Sequence, residues 1–182
     1  YVQHINPTCC NDNINCDQQF FVETENETMI VYLSGAMEQA TDEGEQWRSE
    51  MTEWLKTELD HDVIDPVVSS QLLVEEHEAY DYSDWKFSNP KRFVEFIRKA
   101  IDLDLDNIIN KSDYIICLWD YDVMKGGGTH GEVTMAYYKN VPVYLVNQVP
   151  IEDLSGWIMS GSTDIFNTFT ELKSHLIKTY SF

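Results

Sequence analysis

One carboxylic acid follows a run of glycines in the second half of the chain. Residues 126–136 read Gly-Gly-Gly-Thr-His-Gly-Glu-Val-Thr-Met-Ala, and the acid is Glu132. The run lies between two apolar segments, Tyr114–Trp119 and Val141–Val146, so it would stand where a parallel α/β sheet opens its ligand crevice. Glycines there would let the backbone approach a ligand closely. Glu132, expected in the first turn of a helix, is the best catalytic candidate; a flexible turn with a solvated glutamate is the alternative.

The spacing of the glycines excludes two common nucleotide-binding motifs. Lys125 precedes the glycines, and no Gly-Lys-Ser/Thr sequence closes them as in a P-loop. The run also differs from the Gly-x-Gly-x-x-Gly opening of dinucleotide-binding folds. A small phosphorylated ligand remains compatible with the sequence, because helix ends and glycine amides bind anions locally.

Strand signals and helix signals alternate from residue 29 onward. Short apolar runs predict five strands, with amphipathic helices between them. The alternation predicts an α/β fold, a flavodoxin-like (Rossmann-like) three-layer sandwich with a five-stranded parallel sheet. The predicted strands are Met29–Leu33, Asp62–Asp65, Tyr114–Trp119, Val143–Asn147 and Asp164–Asn167.

The remaining segments divide into helices, one long loop and an arm. Residues 67–90 are acidic and aromatic and are predicted to be a loop, either a functional lid or a plain surface excursion. Residues 1–28 would form an irregular arm, and residues 29–182 a single domain. The predicted helices cover residues 42–59, 90–110, 131–139 and 170–179.

The chain is strongly acidic. Thirty-two acids and twelve bases among 182 residues give a formal net charge of −20. Such a chain repels nucleic acid and anionic membranes, so neither is expected as a partner. No apolar run approaches the roughly twenty residues that a membrane span needs.

The four cysteines are unevenly distributed. Cys117 lies inside an apolar strand and is expected to be an inert core residue. Cys9, Cys10 and Cys16 crowd the start of the chain, form no Cys-x-x-Cys pair and have only His4 as a nearby imidazole, so no metal site is predicted. Free thiols favour a cytoplasmic location, with a disulfide in an exported protein as the alternative.

An ordered set of motifs resembles the nucleoside 2-deoxyribosyltransferase family. The resemblance covers residues 29 to about 180, and it implies a flavodoxin-like fold without a metal or organic cofactor. It also implies cleavage of the N-glycosidic bond of a nucleoside by a glutamate nucleophile, which would be Glu132. The matching segments are Ile-Val-Tyr-Leu-Ser-Gly-Ala-Met at 30–37, Trp47-Arg48, Asp65-Pro66, Asp113, Gly-Gly-Thr-His-Gly-Glu at 127–132, Ala136 and Val-Pro-Val at 141–143.

The candidate residues suit that chemistry. An oxocarbenium-like transition state needs an anion beneath the anomeric carbon and a proton donor near the leaving base. At a helix N-terminus Glu132 is expected to be ionised near neutral pH and able to form a covalent intermediate. A second carboxyl that is less exposed, or close to Glu132, would have a raised pKa and could protonate the base.

Three alternating acids are candidates for the proton donor: Asp102, Asp104 and Asp106. The family carries an aspartate about eight residues before the one that opens the next strand, here Asp113. Position 105 is leucine, so either Asp104 or Asp106 would serve. The Asp-Leu-Asp-Asn-Ile sequence favours Asp104, and solvated helix charges are the alternative.

The resemblance also implies roles around the sugar and the base. Tyr32 would orient Glu132, or would be a core tyrosine. Asp65 would lie near the base and Asp120 at the border of the pocket, whereas His130 would contact a 5′-phosphate or a sugar hydroxyl, or would be an exposed loop histidine. Arg48 is expected to make a structural ion pair. The residues predicted to bind substrate are Ser34, Gly35, Asp65, Asp106, Asp120, Gly127, Gly128, Thr129 and His130.

Three functions follow from these assignments. The first is transfer of deoxyribose from a 2′-deoxynucleoside to another nucleobase. The second is hydrolysis of nucleosides or nucleoside 5′-monophosphates, and the third is non-catalytic nucleotide binding. The family shares its sites across subunits, so a homo-oligomer is expected, with Asn147 as a candidate shared residue.

Overall fold

The fold is known from a computed structural model that describes residues 28–40 and 42–181. Almost all of the arm predicted over residues 1–28, including Cys9, Cys10 and Cys16, lies outside the described residues. The described part begins just before the first strand of the sheet.

Five parallel strands form one sheet with the order β2-β1-β3-β4-β5. This order confirms the predicted flavodoxin-like fold, because the chain reverses its direction of winding between β1 and β3. β3 is buried along its whole length, as expected of a central strand covered on both faces. The strands are β1 (Ile30–Ser34), β2 (Asp62–Ile64), β3 (Tyr114–Trp119), β4 (Val143–Asn147) and β5 (Asp164–Phe166).

Seven α-helices accompany these strands in the described residues. A π-helical turn, Asn107–Lys111, continues α4 towards β3, and a short 3₁₀ turn, Val123–Lys125, precedes the glycines. The helices are α1 (Glu45–Leu59), α2 (Pro66–Glu76), α3 (Tyr82–Ser88), α4 (Pro90–Asp106), α5 (Gly128–Lys139), α6 (Gly156–Gly161) and α7 (Phe169–Tyr180).

The sheet separates two apolar layers. On one face α1 and α7 bury Met51, Leu55, Leu172 and Leu176. On the other face Tyr32, Cys117, Trp119 and Val133 belong to a cluster that includes α5, α6 and the π-helical turn. Because side chains alternate along a strand, every second residue of β1 and β3 faces this second layer.

The predicted loop at residues 67–90 is wrong, since this segment folds into α2 and α3. Asp65 caps α2 by accepting a hydrogen bond from the Val67 amide, and Pro66 occupies the first helical position. A third apolar cluster, with Leu73, Trp85 and Phe96, then packs the two helices onto α4. The acidic residues of the segment are exposed and lie on or beside these two short helices.

Two further boundaries differ from the prediction. α5 begins at Gly128, three residues before its predicted start, because a glycine can enter the first turn of a helix as readily as a loop. The short helix α6 was not predicted; Ser155 caps it by accepting a hydrogen bond from the Trp157 amide. None of the helices in residues 28–40 and 42–181 combines the length and apolar character that crossing a bilayer requires.

We expect Trp85→Ala to destabilise the protein by about 3–5 kcal/mol, since Trp85 is 5% exposed and anchors the third cluster. Phe87→Ala is the matched control, because Phe87 lies on the same helix but is 86% exposed. Urea unfolding of both variants measures the difference in the free energy of unfolding. Equal values for the two variants would show that α3 is not packed as described.

Candidate active site

The carboxylate of Glu132 lies against two hydroxyl groups of β1. The Ser34 hydroxyl donates to Oε2 at 2.5 Å, and the Tyr32 hydroxyl donates to Oε1 at 3.4 Å. Both β1 residues are fully buried, whereas Glu132 is partly buried. The two carboxylate oxygens are therefore fixed in orientation by one strand.

Sequence spacing explains how these groups meet. Tyr32 and Ser34 are two residues apart on a strand, so their side chains leave the same face of the sheet. Glu132 is the fifth residue of α5, which returns along that face. The predicted site at the carboxyl ends of the strands is thus assembled from β1 and α5.

Burial raises the pKa of Glu132 to about 7. The hydrogen bond from Ser34 opposes this increase, the nearby charge of Asp104 adds to it, and the positive charge of Arg48 and the hydrogen bond from Tyr32 lower the pKa again. The expectation of a carboxylate kept ionised by the helix N-terminus is therefore wrong. Glu132 lies one turn deeper in the helix than predicted, and removal from water dominates its titration.

Asp104 is the second acid of the site. It lies on the last turns of α4, is partly buried, and interacts with the Tyr32 hydroxyl. Burial raises the pKa of Asp104 to about 6, while the hydrogen bond with Tyr32 and the charge of Arg48 lower it. The Tyr32 hydroxyl therefore interacts with both carboxyl groups, and burial raises its own pKa well above the usual value.

Asp106, which was predicted to bind substrate, lies outside this cluster. Its carboxylate is 2.8 Å from the Lys111 ammonium and accepts a hydrogen bond from the Asn110 amide at 2.7 Å. These partners lower the pKa of Asp106. Two residues along an α-helix turn the side chain by about 200°, so Asp104 and Asp106 face opposite directions. Asp102 is exposed.

Arg48 provides a buried positive charge beneath the site. Its guanidinium donates to the Leu33, Gly35 and Ala36 carbonyls at 3.0–3.2 Å, and it lies 3.8 Å from the Asp65 carboxylate. The ion pair was expected from the sequence. The influence of Arg48 on Glu132 and Asp104 was not, because nothing in the local sequence reveals which carboxylates a helix will bring near it.

Three other predicted residues shape the backbone around the cluster. Gly35 lies against Trp47, where an added Cβ would come within 3.0 Å of the indole ring. Asp65 caps α2, and Asp120 accepts hydrogen bonds from the Asp122 and Val123 amides at 2.9 Å. The carboxylates of Asp65 and Asp120 are thus engaged with the protein itself.

The glycine run forms the exposed start of α5. Gly127 is the N-cap and Gly128 the first helical residue, and no side chain caps the helix. Thr129 is buried, and His130 is partly buried with its ring 4.8 Å from that of Trp119. The alternative of an exposed loop histidine is therefore wrong, since His130 lies within the first helical turn.

A large cleft in the described residues does not contain the acid pair. It has a volume of about 970 Å³ and follows the edge of the sheet between α1 and α2, reaching Asp65 and Leu103. Within the same residues, no group of three or more His, Cys, Asp and Glu side chains is arranged to hold a metal ion. The polar cluster around Glu132 is the candidate active site on its chemistry, not on cavity size.

Comparison with known proteins finds a structural similarity. The chain is similar to the CMP N-glycosidase BcmB of Clostridium botulinum, with 20% sequence identity and a TM-score of 0.47. The match covers 82% of this chain and 98% of that chain. No protein-family model matches the sequence, and neither does any curated protein.

We expect Glu132→Gln to stabilise the protein by about 1–3 kcal/mol at pH 8 and to have little effect at pH 4.5. The pKa of Glu132 is about 7 in the folded protein against an ordinary value of 4.5. The stability that Glu132 contributes is therefore fully present below pH 4.5 and is lost as the pH rises through 7. Urea unfolding at both pH values measures this difference.

Asp106→Asn is the matched control for that measurement. The pKa of Asp106 is lowered by its partners, so removing its charge should not stabilise the protein at pH 8. A Glu132→Gln variant with the same stability gain at both pH values would contradict a buried carboxyl with a raised pKa.

Proposed function

We propose that this protein cleaves the N-glycosidic bond of a nucleoside or a nucleoside 5′-monophosphate, with Glu132 as the nucleophile and water as the final acceptor. The observation that carries the proposal is the contact of Glu132 with Ser34 and Tyr32 beside a second acid of raised pKa, Asp104. Glycosidic cleavage with retention uses such a pair of carboxyl groups.

The first step would be attack of a Glu132 oxygen on the anomeric carbon of the sugar. A C–O bond forms as the bond from the sugar to the base nitrogen breaks, and the leaving base takes a proton from Asp104. The hydroxyls of Ser34 and Tyr32 would hold the attacking carboxylate in one orientation. Such positioning is worth several kcal/mol when the reacting atoms are aligned.

The second step would release the sugar. Asp104, now ionised, takes a proton from water, and the water oxygen displaces Glu132 from the anomeric carbon. The products are the free base and the sugar, and both carboxyl groups return to their starting state. No metal or organic cofactor enters either step.

The titration of the pair leaves one proton for this exchange. With pKa values of about 7 and about 6, Glu132 and Asp104 together hold one proton between about pH 6 and 7. Glu132 has the higher pKa and holds that proton for more of the time, whereas the reaction needs it on Asp104. Tyr32 interacts with both carboxyls, so it could accept a proton from Glu132 while donating its own to Asp104.

Water access favours hydrolysis over transfer. A transferase must keep water away from its glycosyl intermediate until a second base arrives. Here the glycines at 126–128 are exposed, and Glu132 and Asp104 each keep part of their surface exposed, although burial of their carboxyl groups dominates their titration. Transfer of deoxyribose to another base is the second candidate, supported by the same acid pair. A pure binding protein would gain nothing from two neighbouring acids that raise each other's energy.

A 5′-phosphate is compatible with the start of α5. The first amides of this helix have no side-chain cap, and uncapped helix N-termini bind phosphate groups. Gly127, Gly128 and Thr129 carry these amides. The substrate would then place its phosphate at the glycine run and its anomeric carbon at Glu132, one turn further along the helix.

We expect base release from ribo- and deoxyribonucleosides or their 5′-monophosphates to fall by at least about 10³-fold in Glu132→Ala, because the nucleophile is lost. Asp104→Asn should lower kcat by about 10²–10⁴-fold, and Asp106→Asn should retain activity. Chromatography of the products, with and without a second free base, measures all three variants and separates hydrolysis from transfer. Base release that persists in Glu132→Ala would refute the mechanism.

The pH dependence provides an independent check. We expect kcat/KM to follow a bell-shaped profile with its maximum between about pH 6 and 7, where the acid pair holds one proton. In Asp104→Asn one limb of the bell should disappear. A flat profile across this range would mean that the pair does not titrate in the reaction.

We also propose that the protein forms a homo-oligomer through the outer surface of α5 and α6. Residues 133–151 contain a single charge, Lys139, and residues 154–163 contain none. Tyr137 is 64% exposed and Trp157 is 70% exposed, and both line an apolar pocket of about 370 Å³. Two chains that each carry a charge of −20 repel each other unless they meet at a neutral surface. The surface of α5 and α6 is neutral and offers both a projecting aromatic ring and a pocket for self-association.

We expect the wild-type protein to have a solution mass of at least twice the 21.2 kDa of one chain, and the Trp157→Asp variant to be a monomer. A charge on each copy would face its counterpart in the uncharged contact. Phe87→Asp is the control, because Phe87 is also exposed but lies on α3. Light scattering coupled to size exclusion makes the measurement, and a monomeric wild-type chain would refute the proposal.

A further inference from the structure

The outer side of α4 combines exposed bases with exposed apolar residues. Lys91, Val94, Arg98 and Ile101 recur at intervals of three and four residues, which places them on one side of the helix. Lys91 and Arg98 are exposed, Val94 is 43% exposed and Ile101 is 50% exposed. The buried Phe96 packs into the third cluster from the opposite side of α4. We call the four outer residues the basic face.

The basic face belongs to a segment whose charge is opposite to that of the whole chain. Residues 86–99 hold five of the twelve lysines and arginines but only one acid, in a chain of net charge −20. Three of the five bases contact ring side chains: Lys86 lies over Phe93, Arg92 over Trp85 and Lys99 beside His77. Within residues 28–40 and 42–181, neither Lys91 nor Arg98 takes part in an ion pair. These two bases are therefore accessible to an acidic partner.

The arm at residues 1–28 has the complementary composition. It contains five acids and neither lysine nor arginine. Its apolar run Phe20–Val22 has Asp17 on one side and Glu23 on the other, much as Lys91 and Arg98 stand on either side of Val94. Exposed ion pairs alone are weak, so burial of the apolar run would supply much of the stability of such a contact.

The arm joins the described chain close to the C-terminal end of α4. Asp113 follows the π-helical turn; its amide donates to the Ile30 carbonyl at 2.8 Å, and its carboxylate accepts from the Ile30 amide at 2.7 Å. Arg98 lies about 20 Å along the helix axis from the end of that turn. An extended chain advances about 3.3 Å per residue, so about six residues cover this distance. The segment 17–27 is therefore long enough to run along the basic face.

We propose that residues 17–27 dock on the basic face of their own chain, with Phe20–Val22 against Val94 and with the acids at 17 and 23 beside Lys91 and Arg98. This arrangement covers the exposed aliphatic side chains and neutralises the two bases. It also follows the shortest route from the start of β1 to complementary charge. The proposal does not rest on the proposed function, and its test requires no turnover.

Zero-length carbodiimide cross-linking of the full chain tests the contact directly. The reagent joins a lysine to a carboxylate only where the two groups touch, and Lys91 is the single lysine of the basic face. We expect a link between Lys91 and an acid of residues 17–27. The experiment uses an equal mixture of nitrogen-15-labelled and unlabelled protein, and the linked peptides should both be labelled or both be unlabelled. Links that join labelled to unlabelled peptides would place the arm on a second copy and overturn the proposal.

Charge exchange supplies the second test. Lys91→Glu with Arg98→Glu should speed chymotryptic cleavage after Phe20 and Phe21 by about tenfold, because cleavage follows the population of the undocked arm. Asp17→Lys with Glu23→Lys should do the same. All four substitutions together restore opposite charges, and we expect a cleavage rate close to that of the wild-type protein.

The matched control reverses two bases that lie elsewhere. Lys56 and Lys178 are exposed on α1 and α7, and Lys56→Glu with Lys178→Glu changes the net charge by the same amount as reversal of the basic face. This variant should be cleaved at the wild-type rate. The proposal is overturned if it is cleaved as fast as the variant with the reversed face, if the four substitutions together give no recovery, or if Lys91 forms no link to residues 17–27.

Discussion

A buried guanidinium is the constraint on which the candidate site depends. Arg48 is fully buried, and its donors reach backbone carbonyls on both sides of the turn after β1, including those of Leu33, Gly35 and Gly44. Such a cation is tolerable in the interior only when hydrogen bonds and a counter-charge surround it. Gly44 meets this demand with a left-handed backbone and no side chain, because an added Cβ would collide with the guanidinium. The conformation of the turn after β1 is therefore determined by the hydrogen bonds that the Arg48 guanidinium requires.

The protonation of the acid pair results from opposing effects, of which burial is the largest. Burial of Glu132 and Asp104 favours their neutral forms. The hydroxyls of Ser34 and Tyr32, and to a lesser extent the charge of Arg48, favour the ionised forms. With full exposure both groups would be ionised at neutral pH. The balance leaves one proton for two carboxyls, and nucleophilic attack with acid assistance would require that proton on Asp104.

The sequence predicted the sheet well because buried parallel strands such as Tyr114–Trp119 are short apolar runs. It failed at residues 67–90, where two short acidic helices have the sequence character of a loop. These helices are stabilised by a few apolar residues that pack in a shared cluster on α4, and the local sequence does not reveal that packing. It also failed on the charge of Glu132. A helix N-terminus is worth roughly 0.3–1 kcal/mol to an anion, less than one pKa unit, whereas burial moves this pKa from 4.5 to about 7. The choice of Asp104 came from a family pattern. In the structure Asp104 and Asp106 differ because the rotation of α4 over two residues points their side chains in opposite directions.

The charge of the whole chain bears on the same balance. Thirty-two acids create a negative potential that raises the pKa of any carboxyl within their range, but surface charges are screened over about 8–10 Å in physiological salt. Arg48 acts from inside the protein, where screening is weak. The ionisation of Glu132 and Asp104 should therefore depend far more on the depth of burial, on the nearby hydroxyls and on Arg48 than on the net charge of −20. The acidic surface and the acid pair are then separate features of this chain. The surface charge acts on molecules that approach the protein, whereas the ionisation of the pair is set inside the site.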